Sequence, residues 1–360
     1  MEVRIVSLGA ITVRELMRRY DQGDRDFREL NLTGADLSGL DLSGSDFRKA
    51  ALGSASLSRT HLEDADLSDA FLYGADLSYA KLTRAKLDNA DLTKANLQGA
   101  LLVKCSLTDA RLSGALLKGT SLCGADLAGV NLCGADLQGI NLRWANLDRA
   151  NLSWTDLRGA RMSGCSLNGA NLSHTKLSQA FLNGVDLSGF DLDGVNLTEA
   201  KLSGAKLDHA NLSAANLAGA QMRVANLRGA NLKAANLRSA SLGRADLTEA
   251  VLMRADLTAA NLVEASLGGA NLNGATLHGT QLLRAELSRS YLWAADLESA
   301  DLSGANLCGA SLRGADLANA VLDGIACDDQ TQMPEGAESR MGRSPMTVKP
   351  KRRFSFPLAV

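Results

Sequence analysis

At 360 residues, with 46% hydrophobic but only 4% aromatic residues, the chain has too few large rings for an ordinary globular core of its length. A formal net charge of −2 gives it no electrostatic footprint for nucleic acid. No run of about 18 or more apolar residues offers a membrane span.

In chain order, Met1 to Ala10 lacks a long apolar stretch and a cleavage site, so no signal peptide is expected. The six cysteines form no Cys-x-x-Cys pair and no disulfide framework, which fits a reducing compartment and a cytoplasmic protein. Over residues 11–25, Val13, Leu16, Met17 and Tyr20 recur at helical spacing. Thr12 and Glu15 match a capping box, and Gly23 suits a helix exit. The expectation is a short N-terminal capping helix, with residues 1–25 as its segment.

From residue 26 to 324 one pattern holds. Every fifth residue from Phe27 to Leu322 is a large apolar centre, 60 in all, of which 56 are Leu and the others Phe27, Phe47, Met162 and Met222. Two residues before the centre stands a small residue, Ala in 43 of 59 cases. Between them Asp or Asn is favoured, as in Ala125-Asp126-Leu127 and Ala225-Asn226-Leu227. A period of five fits neither the 3.6 of a helix nor the 2 of a long strand. A spacing of two places the centre and its small residue on one side of extended backbone, and the chain must then turn within what remains. Short units of this kind bury a core only by stacking.

The Ala-Asp/Asn-Leu-Xaa-Xaa repeat resembles the pentapeptide-repeat proteins over about five-sixths of the chain. That resemblance implies an all-β solenoid, a right-handed quadrilateral β-helix with four pentapeptides per coil and about 15 coils. At roughly 4.8 Å per stacked strand the rod would be about 70 Å long. The lead-in from Glu15 to Phe27 is similar to that of cyanobacterial, hence bacterial, members.

With four repeats per coil, sequence phase assigns each outward residue to one of four sides. The side of Phe27 and Phe47 has 14 acids against 8 bases, and the opposite side, of Leu37 and Leu57, has 9 against 5. The Leu32 side has 3 acids and 5 bases, the Leu42 side 6 and 9. Phe71, Tyr73, Trp154, Tyr291 and Trp293 all project from the Leu32 side and are the candidate partner-binding residues. Trp144 and Phe181 project from the opposite side. Inside, Val185, Phe190 and Val195 replace three successive small residues, and Val130 and Ile140 replace two, which predicts locally swollen core rather than a ligand cavity. His61, His174, His209 and His278 fall on four different sides and cannot converge. No Gly-Lys dipeptide exists for a phosphate loop. Neither catalytic residues, nor metal ligands, nor a cofactor site are expected.

Residues 325–360 carry all four prolines and read as a disordered tail. Its cluster of Lys349, Lys351, Arg352 and Arg353 supplies the one contact with a membrane that the chain suggests. The functional expectation is a non-catalytic scaffold binding a protein partner, with an end-to-end homodimer left open. The resemblance supplies the alternative: some members mimic DNA toward a type II topoisomerase. Mild acidity, repeats without projecting loops and no helix after Leu322 depart from that pattern.

Overall fold

The computed structural model describes residues 11–335 and the short strand Met346–Thr347. Helix α1 (Val13–Asp21) starts where Thr12, in extended conformation, accepts a hydrogen bond from the Glu15 amide at 3.2 Å. Only half of the expected capping box forms. The Glu15 carboxylate turns outward to Arg18, 2.6 Å away, instead of reaching back to Thr12. Leu16 is fully buried, Ile11, Val13, Met17 and Tyr20 pack partly against the core, and the Tyr20 hydroxyl donates to the Ser43 carbonyl. The helix thus lies over the first turn of the solenoid, beside the stacked rings of Phe27 and Phe47. Open core and unpaired strand edges at a solenoid end call for such a lid.

Beyond it the chain climbs as a solenoid. Parallel bridges join residues before a centre to those twenty positions on, from Asp26–Asp46 to Asn306–Ala326, with two exceptions at residues 166 and 171. Four pentapeptides therefore complete each coil. The centres and the small residues point inward and almost all are inaccessible to solvent.

A full accounting of backbone N–H groups explains the repeat. In the unit around Leu37, the centre amide donates to the Ser56 carbonyl of the next coil, 2.8 Å away, and Gly39 donates to Ser58 at 2.9 Å. Leu40 closes the turn onto Leu37. One coil on, the amide before the centre, Ser56, donates back to Ala35 at 2.9 Å. The amide just after the centre has no backbone partner. The side chain of Asp36 takes it, with Ser38 N donating to Oδ1 at 3.1 Å. This fifth bond is why Asp or Asn precedes the centre. Asn adds a second, since its amide can donate to the coil below, as Asn231 does to Asn211 at 3.0 Å. Stacked Asp side chains would instead repel.

Two residues after the centre the backbone is left-handed. Gly129 accepts this freely at φ 69°, but Val224 adopts it at φ 56° with a branched Cβ on the surface. Val224→Gly is expected to raise the thermal midpoint, reflecting about 1 kcal/mol of released strain. A lower midpoint would show that no strain resides there.

Hydroxyls in the interior are almost all satisfied. Thr60, Thr120 and Thr280 donate to carbonyls of the preceding coil, and Thr155, Thr175 and Ser290 donate within their own turn. Ser45 Oγ is the exception among the described residues.

The ladder is interrupted at one seam. The bridges expected for Ser166–Asp186 and Asn171–Asp191 are absent, and the amides of Leu167, Gly169, Leu172 and His174 find no carbonyl on the next coil. These lie on the adjacent Phe27 and Leu32 sides. On the other two sides the Arg161–Phe181 and Lys176–Asn196 bridges hold.

The ordered chain also runs past the expected boundary at Gly324. Ile325 is buried, and strand β1 (Ala326–Cys327) pairs with Asn306 below and, in parallel, with strand β2 (Met346–Thr347). Asp328 Oδ1 accepts from the Gly309 amide at 2.7 Å and from the Thr331 hydroxyl at 2.9 Å, and Gln332 bridges to Ser311. Here an Asp–Thr turn takes over from the repeat's own turn chemistry. Lys349, Lys351, Arg352 and Arg353 lie outside the described residues.

Candidate functional site

The ladder fixes every outward side chain at a set height and side. On the Leu32 side, the Phe71 and Tyr73 rings stack with centroids 6.2 Å apart, and Lys94 Nζ lies 5.8 Å from the Tyr73 centroid. Gly53 makes this possible: a Cβ there would come within 2.9 Å of Phe71 Cε1. Trp154 stacks on His174 one coil above, at 4.2 Å. Trp293 has its amide held by Asn273 Oδ1 at 2.8 Å, next to Tyr291. All five rings are well exposed, Trp154 at 64% and Trp293 at 61%.

The structure does not gather them into one patch. Four coils separate Phe71 from Asn151, the strand residue of the Trp154 unit, and seven more lead to Tyr291. At roughly 4.8 Å per coil these are gaps of about 20 and 35 Å. Three aromatic stations on one side result, with Asp91, Arg111 and Asn131 between the first two. Sequence phase with four repeats per coil already implies both the shared side and these gaps.

Some acids of the Phe27 side are ion-paired, Asp46 with Arg48 at 2.6 Å and Asp186 with Lys206 at 3.1 Å, and on the Leu42 side Asp64 pairs with Arg84 at 2.5 Å. The Arg28 guanidinium beside Asp26 holds its carboxyl down to about 2. Burial pushes the interior thiol of Cys165 up to about 12, so that little of it is thiolate.

One cluster escaped the search for converging histidines. His278 Nδ1 lies 3.6 Å from Glu298 Oε2, and Asp296 brings its ligand atom within 4.8 Å of both. The signal was present as an acid twenty residues after a histidine. The cluster is an exposed His–Glu contact beside a carboxylate whose Oδ1 already accepts the Glu298 amide. An open groove of about 610 Å³ runs over turn residues between Thr248 and Gln330, lined by Gly268, Gly269 and Gly309 together with Glu249, Arg289, Cys308 and Asp328. Among the described residues no helix is long and apolar enough to cross a membrane.

Stacked pentapeptides, four to a coil, with inward Leu and Ala and a side-chain-closed turn, define a β-helical repeat protein. The family model for pentapeptide repeats (8 copies) matches residues 26–64, 55–93, 90–129, 105–143, 125–164, 165–204, 191–229, 215–252, 250–282 and 285–324. The chain belongs to the pentapeptide repeat family. No curated protein matches it. Among solved structures it is similar to HetL, a pentapeptide repeat protein involved in heterocyst differentiation regulation from the cyanobacterium Nostoc sp. strain PCC 7120. That likeness has 29% identity, covers 88% of this chain and 97% of that one, and has a TM-score of 0.21. Rfr23 of the cyanobacterium Cyanothece 51142 is 26% identical over 41% of this chain and 90% of its own, with a TM-score of 0.26. QnrB1, a plasmid-mediated fluoroquinolone resistance protein, is 18% identical over 55% of this chain and 93% of its own, with a TM-score of 0.37.

Proposed function

We propose that this chain is a non-catalytic cytoplasmic scaffold, a right-handed quadrilateral rod of about 15 coils whose outer sides bind a protein partner. The observation that carries the reading is the set of exposed rings carried along one side: Phe71 with Tyr73, Trp154 with His174, and Tyr291 with Trp293. Rings on a fixed backbone lose little freedom on binding, so their apolar contact converts efficiently into affinity. Packed Leu and Ala fill the interior and leave the surface as the place of recognition. Paired carboxylates favour a protein partner over mimicry of a polyanion. Asp46 and Asp186 each face a cation, and Asp126 accepts from the Asn146 amide at 2.9 Å.

Replacing Phe71, Tyr73, Tyr291 and Trp293 together by Ser is expected to leave the circular-dichroism melt nearly unchanged. The same protein, immobilised in a native lysate, should lose most of the partner that the wild type captures. Undiminished capture by the fourfold variant would end the aromatic-side reading.

A further inference from the structure

The seam between residues 164–175 and 183–194 has a cause on the inside. Val185, Phe190 and Val195 occupy three successive inward positions of one coil where Ala is usual. The coil below offers Cys165, Ala170 and Thr175 at those heights, and the coil above offers Ala205, Ala210 and Ala215. Upward the ladder is intact, with Leu192 N to Asn211 O at 2.7 Å and Asn211 N to Phe190 O at 2.8 Å. Downward it fails on the two sides that flank Phe190. Phe190 and Ala170 are only half-buried, whereas Ala210 is fully buried.

Elsewhere the chain supplies a control. Val130 and Ile140 also replace small residues in one coil, yet Asn131 N still meets Ala110 O at 2.9 Å and Asn141 N meets Thr120 O at 2.9 Å. Two separated branched side chains are absorbed. A phenyl ring between two valines exceeds what the narrow interior takes, and close-packed neighbours must separate.

A seam open on two adjacent sides and bonded on the other two, where the Gly164 and Asn196 amides alone lack their inter-coil carbonyl, has the form of a hinge. Met162 N to Phe181 O and Leu177 N to Asn196 O, both 2.9 Å, hold the closed sides. Flexing there breaks no inter-coil hydrogen bond on the open sides, whereas flexing anywhere else along the intact ladder would. We propose that this seam is a built-in joint, dividing the rod into two stiff arms, one running up from the N-terminal helix to Thr175 and the other from Val185 to Gln332. The joint places Phe71, Tyr73 and Trp154 on one arm and Tyr291 and Trp293 on the other. It sets their relative direction whatever they bind, and it stands or falls independently of the partner reading.

The protein carries its own reporter. Cys165 and Cys105 occupy the same repeat position, but Cys165, facing the seam, is 9% exposed and Cys105, in closed ladder, 2%. Burial suppresses ionisation of both thiols, so a difference in their alkylation reads access. In the native full-length protein treated with N-ethylmaleimide, Cys165 is expected to react about tenfold faster than Cys105 or more. Amide exchange at Leu167, Leu172, Asp186 and Asp191 should exceed that at Leu227 and Leu232 by about a hundredfold. Phe190→Ala should close the seam and slow both signals toward the values of the intact ladder. Small-angle scattering should need a bending rod for the wild type and a single rigid rod for the variant. Equal alkylation of the two wild-type cysteines, or exchange at Leu167 as slow as at Leu227, overturns the seam without requiring any variant to fold. One rigid rod fitting both scattering curves overturns the joint even if the seam is real.

Discussion

Leu177→Ala is expected to cost about 2–5 kcal/mol, the range for emptying a buried Leu site. Leu177 is 1% exposed and stacks between Leu157 and Leu197, both fully buried. A solenoid coil touches only its neighbours, so the loss should stay near the site. Here it should be sharper than elsewhere, because Leu177 N to Asn196 O is one of the bonds that hold the closed sides of the seam. Limited proteolysis of the variant should cut between about residues 160 and 200 while the ends stay protected. Uniform loss of protection from Phe27 to Leu322 would mean one cooperative unit and would defeat the local picture. Unchanged urea stability would mean that the centre residue is not part of the core.

The second large effect comes from adding volume. Ala230→Phe should destabilise by about 1–3 kcal/mol or more, because Ala230, Ala210 and Ala250 are all fully buried in intact ladder. It should also transplant the seam. Asn231 N to Ala210 O and Val251 N to Ala230 O, both 2.9 Å, are the bonds placed to give way. New fast-exchanging amides at Asn231 and Val251 would confirm that one ring suffices to push adjacent coils apart. A destabilised variant with both amides still protected would show that the neighbouring valines are needed as well. Ala170→Phe should cost less, since Ala170 already borders the open side and is only half-buried.

Several features were legible in the sequence because they are local. Centre and small residue two positions apart share a side of extended backbone, so the inward set was readable from Phe27 to Leu322. Helix α1 was readable from Thr12, Leu16 and Gly23 for the same reason. The favoured Asp or Asn could be assigned to turns, but not to its particular task of taking the amide two residues on, which depends on where the other four donors go.

The candidate surface was readable as side and coil of each ring. Phase put Phe71, Trp154 and Tyr291 on one side, and the swelling around Phe190 was visible as a substitution pattern. The His278–Glu298 contact and the closure by Asp328 on the Gly309 amide appeared only with coordinates, since each joins residues about one coil apart and a repeat read five residues at a time does not test such pairs.

The five-residue period by itself determined which way each side chain faces, since that direction follows from the backbone over two or three residues. Whether a coil then closes on its neighbour is decided by the summed volume of side chains twenty residues apart. Val130 with Ile140 stays below that limit, Val185 with Phe190 and Val195 exceeds it, and only the tertiary structure adds them up.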